Sequence, residues 1–258
     1  MKRIVFALLC CGILTVATAC KSTTENQIKQ AEAHRKLGEA HLIDDNYIAA
    51  LREFTASQKL LPTDPIVHND IGLVYLRRAM LPDALAAFQK ALSLKPDYGD
   101  ALLNLSVTYM RMEQWDKAIK HLKTLEADLL YSDYQNTQLN LGYAYYMKGD
   151  YANASIHYAK TIQYYEDGFR KDVTYVMALL GQARVALKTG KAGAALSLID
   201  TALAEAPQAA ELYFYKGAAL EILGNSTAAR NAYIKVIELA PQGDLSQKAI
   251  DALRGLAN

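Results

Sequence analysis

Residues 65–98 read PIVHNDIGLVYLRRAMLPDALAAFQKALSLKPDY, and the fold turns on how this stretch recurs. Within it Gly72, Tyr75, Ala84, Phe88, Ala91 and Pro96 stand at fixed offsets. Gly38 lies 34 residues before Gly72, Pro62 lies 34 before Pro96, and Pro207 lies 34 before Pro241. A fixed period of this size marks stacked supersecondary units, each too small to bury its apolar face alone.

The offsets resemble the tetratricopeptide repeat, with L-G-x-x-Y, then A-x-x-x-F, then P. Numbered so that the glycine is position 8, repeat one (31–64) carries Leu37, Gly38, His41, Ala50, Phe54 and Pro62. Repeat two (65–98) adds Ile71 to the residues above. Repeat three, from 99, carries Leu105, Ser106, Tyr109, Ala118 and Leu122 but no closing proline. Repeat four, from 135, carries Leu141, Gly142, Tyr145, Ala154 and Tyr158. Repeat five, from 176, has Ala183, Ala186, Ala195, Ile199 and Pro207, and repeat six (210–243) has Gly217, Leu220, Ala229, Tyr233 and Pro241. Small residues at positions 8 and 20 let two helices approach, and large apolar ones at 4, 7, 11 and 24 fill the space between repeats. Proline at 32 ends the second helix. The expected fold is therefore all-α, a solenoid of about six helix-turn-helix repeats over 31–243. Its amphipathic end, LSQKAIDALRGL at 245–256, is expected to form a capping helix within 244–258. The spacing stretches to 36 between repeats three and four, around LYSDYQ (130–135). Between repeats four and five it is 41, and TIQYYEDGFRKD (161–172) implies a lengthened second helix or a loop.

The N-terminus is of another kind. Lys2 and Arg3 precede the apolar run IVFALLCCGILTVATA, shorter than the roughly 20 residues of a membrane-spanning helix. A secretory signal over 1–19 is expected. It ends in Ala17-Thr18-Ala19-Cys20, which resembles the lipobox of bacterial lipoproteins and implies acylation of Cys20, a palmitate-bearing anchor. The alternative is an ordinary cleaved signal with Cys20 a bystander. All three cysteines lie within residues 1–20, so the body must be stable without disulfides. Lysine at position 21 resembles lipoproteins passed to the outer membrane, giving an expected place on its periplasmic face. Polar residues up to 30 are read as a tether over 20–30.

Composition bounds the chemistry. The chain is 52% hydrophobic, which excludes intrinsic disorder, and loss of Lys2 and Arg3 turns its formal +1 into about −1. No Lys/Arg stripe is present, so nucleic acid is not an expected partner. The chain has no Gly-rich phosphate loop, no HExxH, no CxxC and no G-x-S-x-G, so neither enzyme activity nor a cofactor is expected. The five histidines are scattered: His34 and His68 at position 4, His41 at 11, His121 and His157 at 23. They read as core and surface residues rather than metal ligands.

Function is therefore expected from surface. Positions 2, 5, 9, 12 and 13 of each first helix would line a concave face. In repeat two these include Asn69, Leu73, Leu76 and Arg77; in repeat three Leu103, Val107, Met110 and Arg111. Repeat four presents Leu139, Tyr143 and Tyr146, and repeat five Arg184. Asn104 and Asn140, at position 6, could hydrogen-bond an extended peptide. Contiguous apolar and aromatic surface points to a protein partner. Self-contact in a tightly curled superhelix, or filling by 161–172, are the alternatives. The same register divides NLGYAYYMKGDYANASIHY (140–158): Tyr145, Tyr151 and Tyr158 go to packing, Tyr143 and Tyr146 to the groove.

Lipoprotein signal, six repeats and a cap helix together resemble the type IV pilus biogenesis/stability lipoproteins, the PilF/PilW pilotins. The Leu-Tyr interruption in LEADLLYSDYQNTQLNLGYAYY (125–146) is similar to one in that family. The resemblance implies an outer-membrane lipoprotein that binds the secretin and promotes its localisation and assembly. A periplasmic scaffold for cell-wall enzymes or envelope assembly machinery is the other class of adaptor in view.

Overall fold

Two kinds of turn, alternating along the chain, set the architecture. A computed structural model describes residues 25–128 and 131–256, and every regular element among them is an α-helix. Helix α1 (25–43) pairs with α2 (Tyr47–Leu60), and α3 (Pro65–Arg77) with α4 (Leu81–Leu94). Next come α5 (Gly99–Arg111) and α6 (Trp115–Glu126), then α7 (Tyr134–Met147) and α8 (Tyr151–Glu166). The pair α9 (Val173–Lys188) and α10 (Ala192–Glu205) precedes α11 (Ala210–Ile222) and α12 (Ser226–Leu239), and α13 (Asp244–Gly255) closes the series. The chain divides into two compact units, residues 1–114 and 115–258, so the division falls inside repeat three. Cys20 and the expected signal and anchor lie outside the described residues.

The first turn lies inside each repeat. Position 15 is left-handed in all six: Asp45, Ala79 and Glu113 at φ 54°, 58° and 58°, then Gly149, Gly190 and Gly224 at 80°, 74° and 77°. The following N–H reaches back five residues, from Asn46 to the His41 carbonyl (2.8 Å), Met80 to Tyr75 (2.9 Å) and Asn225 to Leu220 (2.9 Å), with the same bond in the other three. This Schellman closure satisfies carbonyls that the helix end leaves orphaned. Asn46, Asp150 and Asn225 then cap the second helix by accepting from the backbone N–H three residues on.

The second turn joins repeats. Leu61, Lys95, Ala206 and Ala240 each make a last helical bond four residues back, to Ser57, Ala91, Ala202 and Val236. Pro62, Pro96, Pro207 and Pro241 follow and forbid continuation, because proline has no N–H and restricts the residue before it.

Side-chain volume sets how the helices of a repeat meet. A Cβ on Gly38 would come within 2.6 Å of the Phe54 ring, and one on Gly72 within 2.5 Å of Phe88. Gly142 stands in the same relation to Tyr158 (2.7 Å) and Gly217 to Tyr233 (2.5 Å). Position 8 is thus small because the aromatic at position 24 of its own repeat lies flat against it. Tyr158 does this twice, since Gly181 of α9 presses on the other part of its ring. The position-20 alanines Ala50, Ala84, Ala118, Ala154, Ala195 and Ala229 are all fully buried. An aromatic ring buries 150–250 Å², so these four wedges dominate the packing of their hairpins.

Two departures from the sequence reading have local causes, and the lengthened second helix expected at 161–172 is present. Residues 25–30, expected as tether, are the first turns of α1; NQIKQA has no Gly or Pro, and Lys29 pairs with Glu25 one turn back at 2.7 Å. Leu37, at an expected interior position, is exposed, because no described helix precedes α1 to cover it. In the 161–172 stretch α8 runs on to Glu166 and α9 starts early at Val173. The short connection is fastened by Tyr164 stacked on Phe169 (4.1 Å) and by the Tyr165 hydroxyl donating to Asp172 (2.7 Å).

Candidate functional site

The first helices of the repeats carry the expected binding face, and each unit presents its own part. In the first unit these are α1, α3 and α5. Arg77 and Arg111 are exposed there, and Leu73, Leu103, Asn104 and Val107 are half-buried. Asn69, Leu76 and Met110, however, are buried between neighbouring helices. The face open to a partner is accordingly narrower than the register implied. Asn104 donates through Nδ2 to Asn69 Oδ1 at 3.0 Å, so this asparagine pair links α3 to α5 and that bond is made within the protein. Arg111 donates through Nη1 to the Leu76 carbonyl at 2.6 Å, placing a cation at the C-terminal end of α3.

Asp70 is a further polar group on this face, one that register reasoning passed over. It is buried, its Oδ2 has no hydrogen bond, and Arg35 of α1 stands 3.8 Å away while also pairing with Glu39. Burial pushes the Asp70 carboxyl up to about 7, against the pull of Arg35, with Glu39 and Asp64 raising it further.

In the second unit the corresponding helices are α7, α9 and α11. Tyr143 is 37% exposed, its ring edge-on to Trp115 of α6 at 6.0 Å. Asn140 and Tyr146 are half-buried, Leu139 is buried, and Met147 and Met177 are exposed at 42% and 52%. The Arg184 guanidinium lies 4.5 Å from the Tyr146 ring centre and 5.5 Å from that of Tyr215 on α11. Arg184, Tyr146 and Tyr215 therefore form one cluster drawn from three successive first helices. Tyr215 was absent from the sequence-based face because it stands at position 6 of repeat six, outside the positions 2, 5, 9, 12 and 13 taken to line it. Beside the cluster, α9 and the α10–α11 turn enclose an open hollow of about 460 Å³, lined by Val173, Val176, Met177, Leu180 and Leu212.

Behind this face the remaining tyrosines are structural. Tyr145 stacks on His157 at 5.4 Å with rings nearly parallel, and Tyr158 is the buried wedge described above. Tyr151 lies 5.6 Å from Tyr146. His157 Nδ1 is 2.7 Å from Gln138 Oε1, Gln138 donates to Glu126, and Lys160 pairs with Glu126 at 2.8 Å. With Gln138 donating onward, the histidine donates to Oε1, and burial lowers its pKa against the pull of Glu126, so this group belongs to the second unit's packing. His68 is likewise spent on Gln58 and the Pro62 carbonyl. Among the described residues no group of acidic, His or Cys side chains could hold a metal ion, and no helix is long and apolar enough to cross a membrane.

Two family models described as tetratricopeptide repeat match, one over residues 75–130 and the other over 103–164 and 180–244. Among solved structures, PilF of Pseudomonas aeruginosa superposes at TM-score 0.74 with 16% identity, over 88% of this chain and 99% of that one. PilW, a widely conserved type IV pilus biogenesis factor, superposes at TM-score 0.77 with 17% identity, over 85% and 98%. Superkiller protein 3 of Schizosaccharomyces pombe is 24% identical over 173 residues, 63% of this chain but only 12% of that much longer protein. These likenesses fix the fold.

Proposed function

We propose that this chain, which belongs to the tetratricopeptide-repeat family, is a lipid-anchored adaptor that holds a protein partner on its first-helix face and serves secretin assembly in type IV pilus biogenesis. The observation that carries partner binding is the side chains left outside the core: Ile66 in the first unit, and Tyr143, Met147 and Met177 in the second, stand exposed on helices whose other faces are packed. Tyrosine and methionine at such sites suit peptide capture, offering large contact area with few degrees of freedom or with adaptable shape. The pilus assignment is supported by the near end-to-end fold likeness to PilF and PilW, taken with the lipobox-like Ala17-Thr18-Ala19-Cys20.

In this reading the acyl chains on Cys20 confine the adaptor to the periplasmic face of the outer membrane. Confinement raises its effective concentration for secretin subunits arriving there, with no new contact required. The test is deletion of the gene followed by membrane fractionation and secretin immunoblotting. Loss of secretin multimers from the outer membrane is the expected result. Multimers that persist in place would refute the pilotin role and leave an adaptor for other envelope machinery.

A further inference from the structure

We propose that the Arg184 cluster of the second unit is an anchor for an Asp or Glu side chain on an extended peptide, with the neighbouring hollow taking an aliphatic residue of the same peptide. This rests on the partner-binding reading above and names the chemistry of the ligand.

The first reason is an unbalanced charge. Arg184 is half-buried, its Nε has no hydrogen-bond partner, and none of the described carboxylates pairs with it. Four lysines of this unit, by contrast, have carboxylate partners: Lys148 with Asp116, Lys160 with Glu126, Lys171 with Glu205 and Lys216 with Asp200. Burial works against the Arg184 charge, while the phenols of Tyr215 and Tyr146, the latter also through a hydrogen bond, favour it. A guanidinium held against two aromatic rings is oriented and partly stripped of water, so a carboxylate meeting it gains a charge-assisted, potentially bidentate contact.

The second reason is the register of α9. Met177, Leu180 and Arg184 recur at three- and four-residue steps and so share one face of the helix. Met177 and Leu180 line the hollow, and at about 1.5 Å per residue Arg184 lies roughly 10 Å further along the axis than Met177. That separation matches about three residues of extended chain at 3.3 Å each. Lys188, exposed one turn beyond Arg184, adds positive charge at the same end. Glu211 and the Lys171–Glu205 pair rim the opposite end, so an acidic group is favoured beside Arg184 and disfavoured at the hollow. The two ends impose a direction on the bound segment.

The test uses the whole chain and a pool of short peptides amidated at the C-terminus, built from Val, Leu and Ser with a single Glu at varied positions. Enrichment of peptides with Glu about three residues from Val or Leu is expected. Replacing that Glu with Gln, or Arg184 with Gln, should each weaken binding about tenfold, and the two losses should not add. Met177→Glu, on an exposed side chain that folding does not need, should also weaken capture. No enrichment, or equal enrichment by wild-type and Arg184→Gln protein of unchanged circular dichroism, would overturn the assignment. So would binding that appears only when the peptide C-terminus is a free carboxylate. In cells, secretin assembly that survives Arg184→Gln but not deletion would sink the anchor and leave the adaptor standing. Arg184-dependent peptide capture with secretin unaffected by deletion would do the reverse.

Discussion

Position 15 of the repeat separates two sources of backbone cost. Asp45, Ala79 and Glu113 occupy the left-handed region without being glycine, which costs an L-residue about 1–2 kcal/mol. Gly149, Gly190 and Gly224 occupy it freely, and a Cβ on any of them would meet nothing within 4 Å. Ala79→Gly should therefore stabilise the first unit by about 1 kcal/mol, and Gly224→Ala should destabilise the second by a similar amount. Denaturant titration of the full chain, followed by circular dichroism, checks both signs. Gly72 is a different case, because its backbone is helical and the obstruction is the Phe88 ring. Gly72→Ala should cost about 1–3 kcal/mol through overpacking. Adding Phe88→Leu should recover part of that loss, whereas independent costs would simply add. Much of this residue scale is legible in sequence: the position 8, 20 and 24 pattern is a pattern of volumes, and volume is read directly from residue type. The left-handed turn was not, because three of its six occupants are ordinary residues that hide the glycine period.

At the scale of helices, what a neighbour covers cannot be read from one repeat alone. Leu76, Met110 and Leu139 satisfy the register for an exposed face, yet adjacent first helices bury them. How closely those helices approach depends on side chains from two repeats at once, so a single-repeat template misplaces such residues. Asp70 was missed for the same reason: its burial is made by α1 and α3 together. Its pKa, raised from 3.8 to about 7, means that the folded state binds a proton which the unfolded chain has released over that interval. Stability must then fall as pH rises from about 4 to about 7 and level off above, by on the order of a few kcal/mol. Arg35, Glu39, Asp64 and Asn69 all bear on the group, and Arg35 and the Asn69 hydrogen bond oppose the shift. Asp70→Asn should flatten this slope and make the first unit more stable at pH 8 than the parent. Unfolding midpoints measured across the pH range would decide it, and a parallel slope in the variant would assign the effect to other groups.

For the molecule as a whole, the proposed function assigns membrane address and partner capture to separate residues, which makes them separable by mutation. Cys20 precedes the first described helix, whereas the half-buried Leu73 and Tyr146 lie on α3 and α7. Under the proposed acylation, Cys20→Ser should move the protein from the membrane fraction to the soluble periplasm, because each acyl methylene lost would remove about 0.8 kcal/mol of membrane affinity. The first-helix faces of both units would be untouched, so on the proposed function purified protein should still bind a secretin segment while cells lose outer-membrane multimers. Leu73→Glu combined with Tyr146→Ala should give the opposite pair of results: full membrane retention, unchanged helicity and loss of capture in a pull-down. Tyr146 carries the weight in the second unit, since its ring also positions the Arg184 guanidinium. An adaptor that works by raising local concentration needs both properties on one chain, so co-expressing the two variants should not restore assembly. Restored multimers in that strain would show that anchoring and capture act on the secretin independently, and the confinement mechanism would have to be given up.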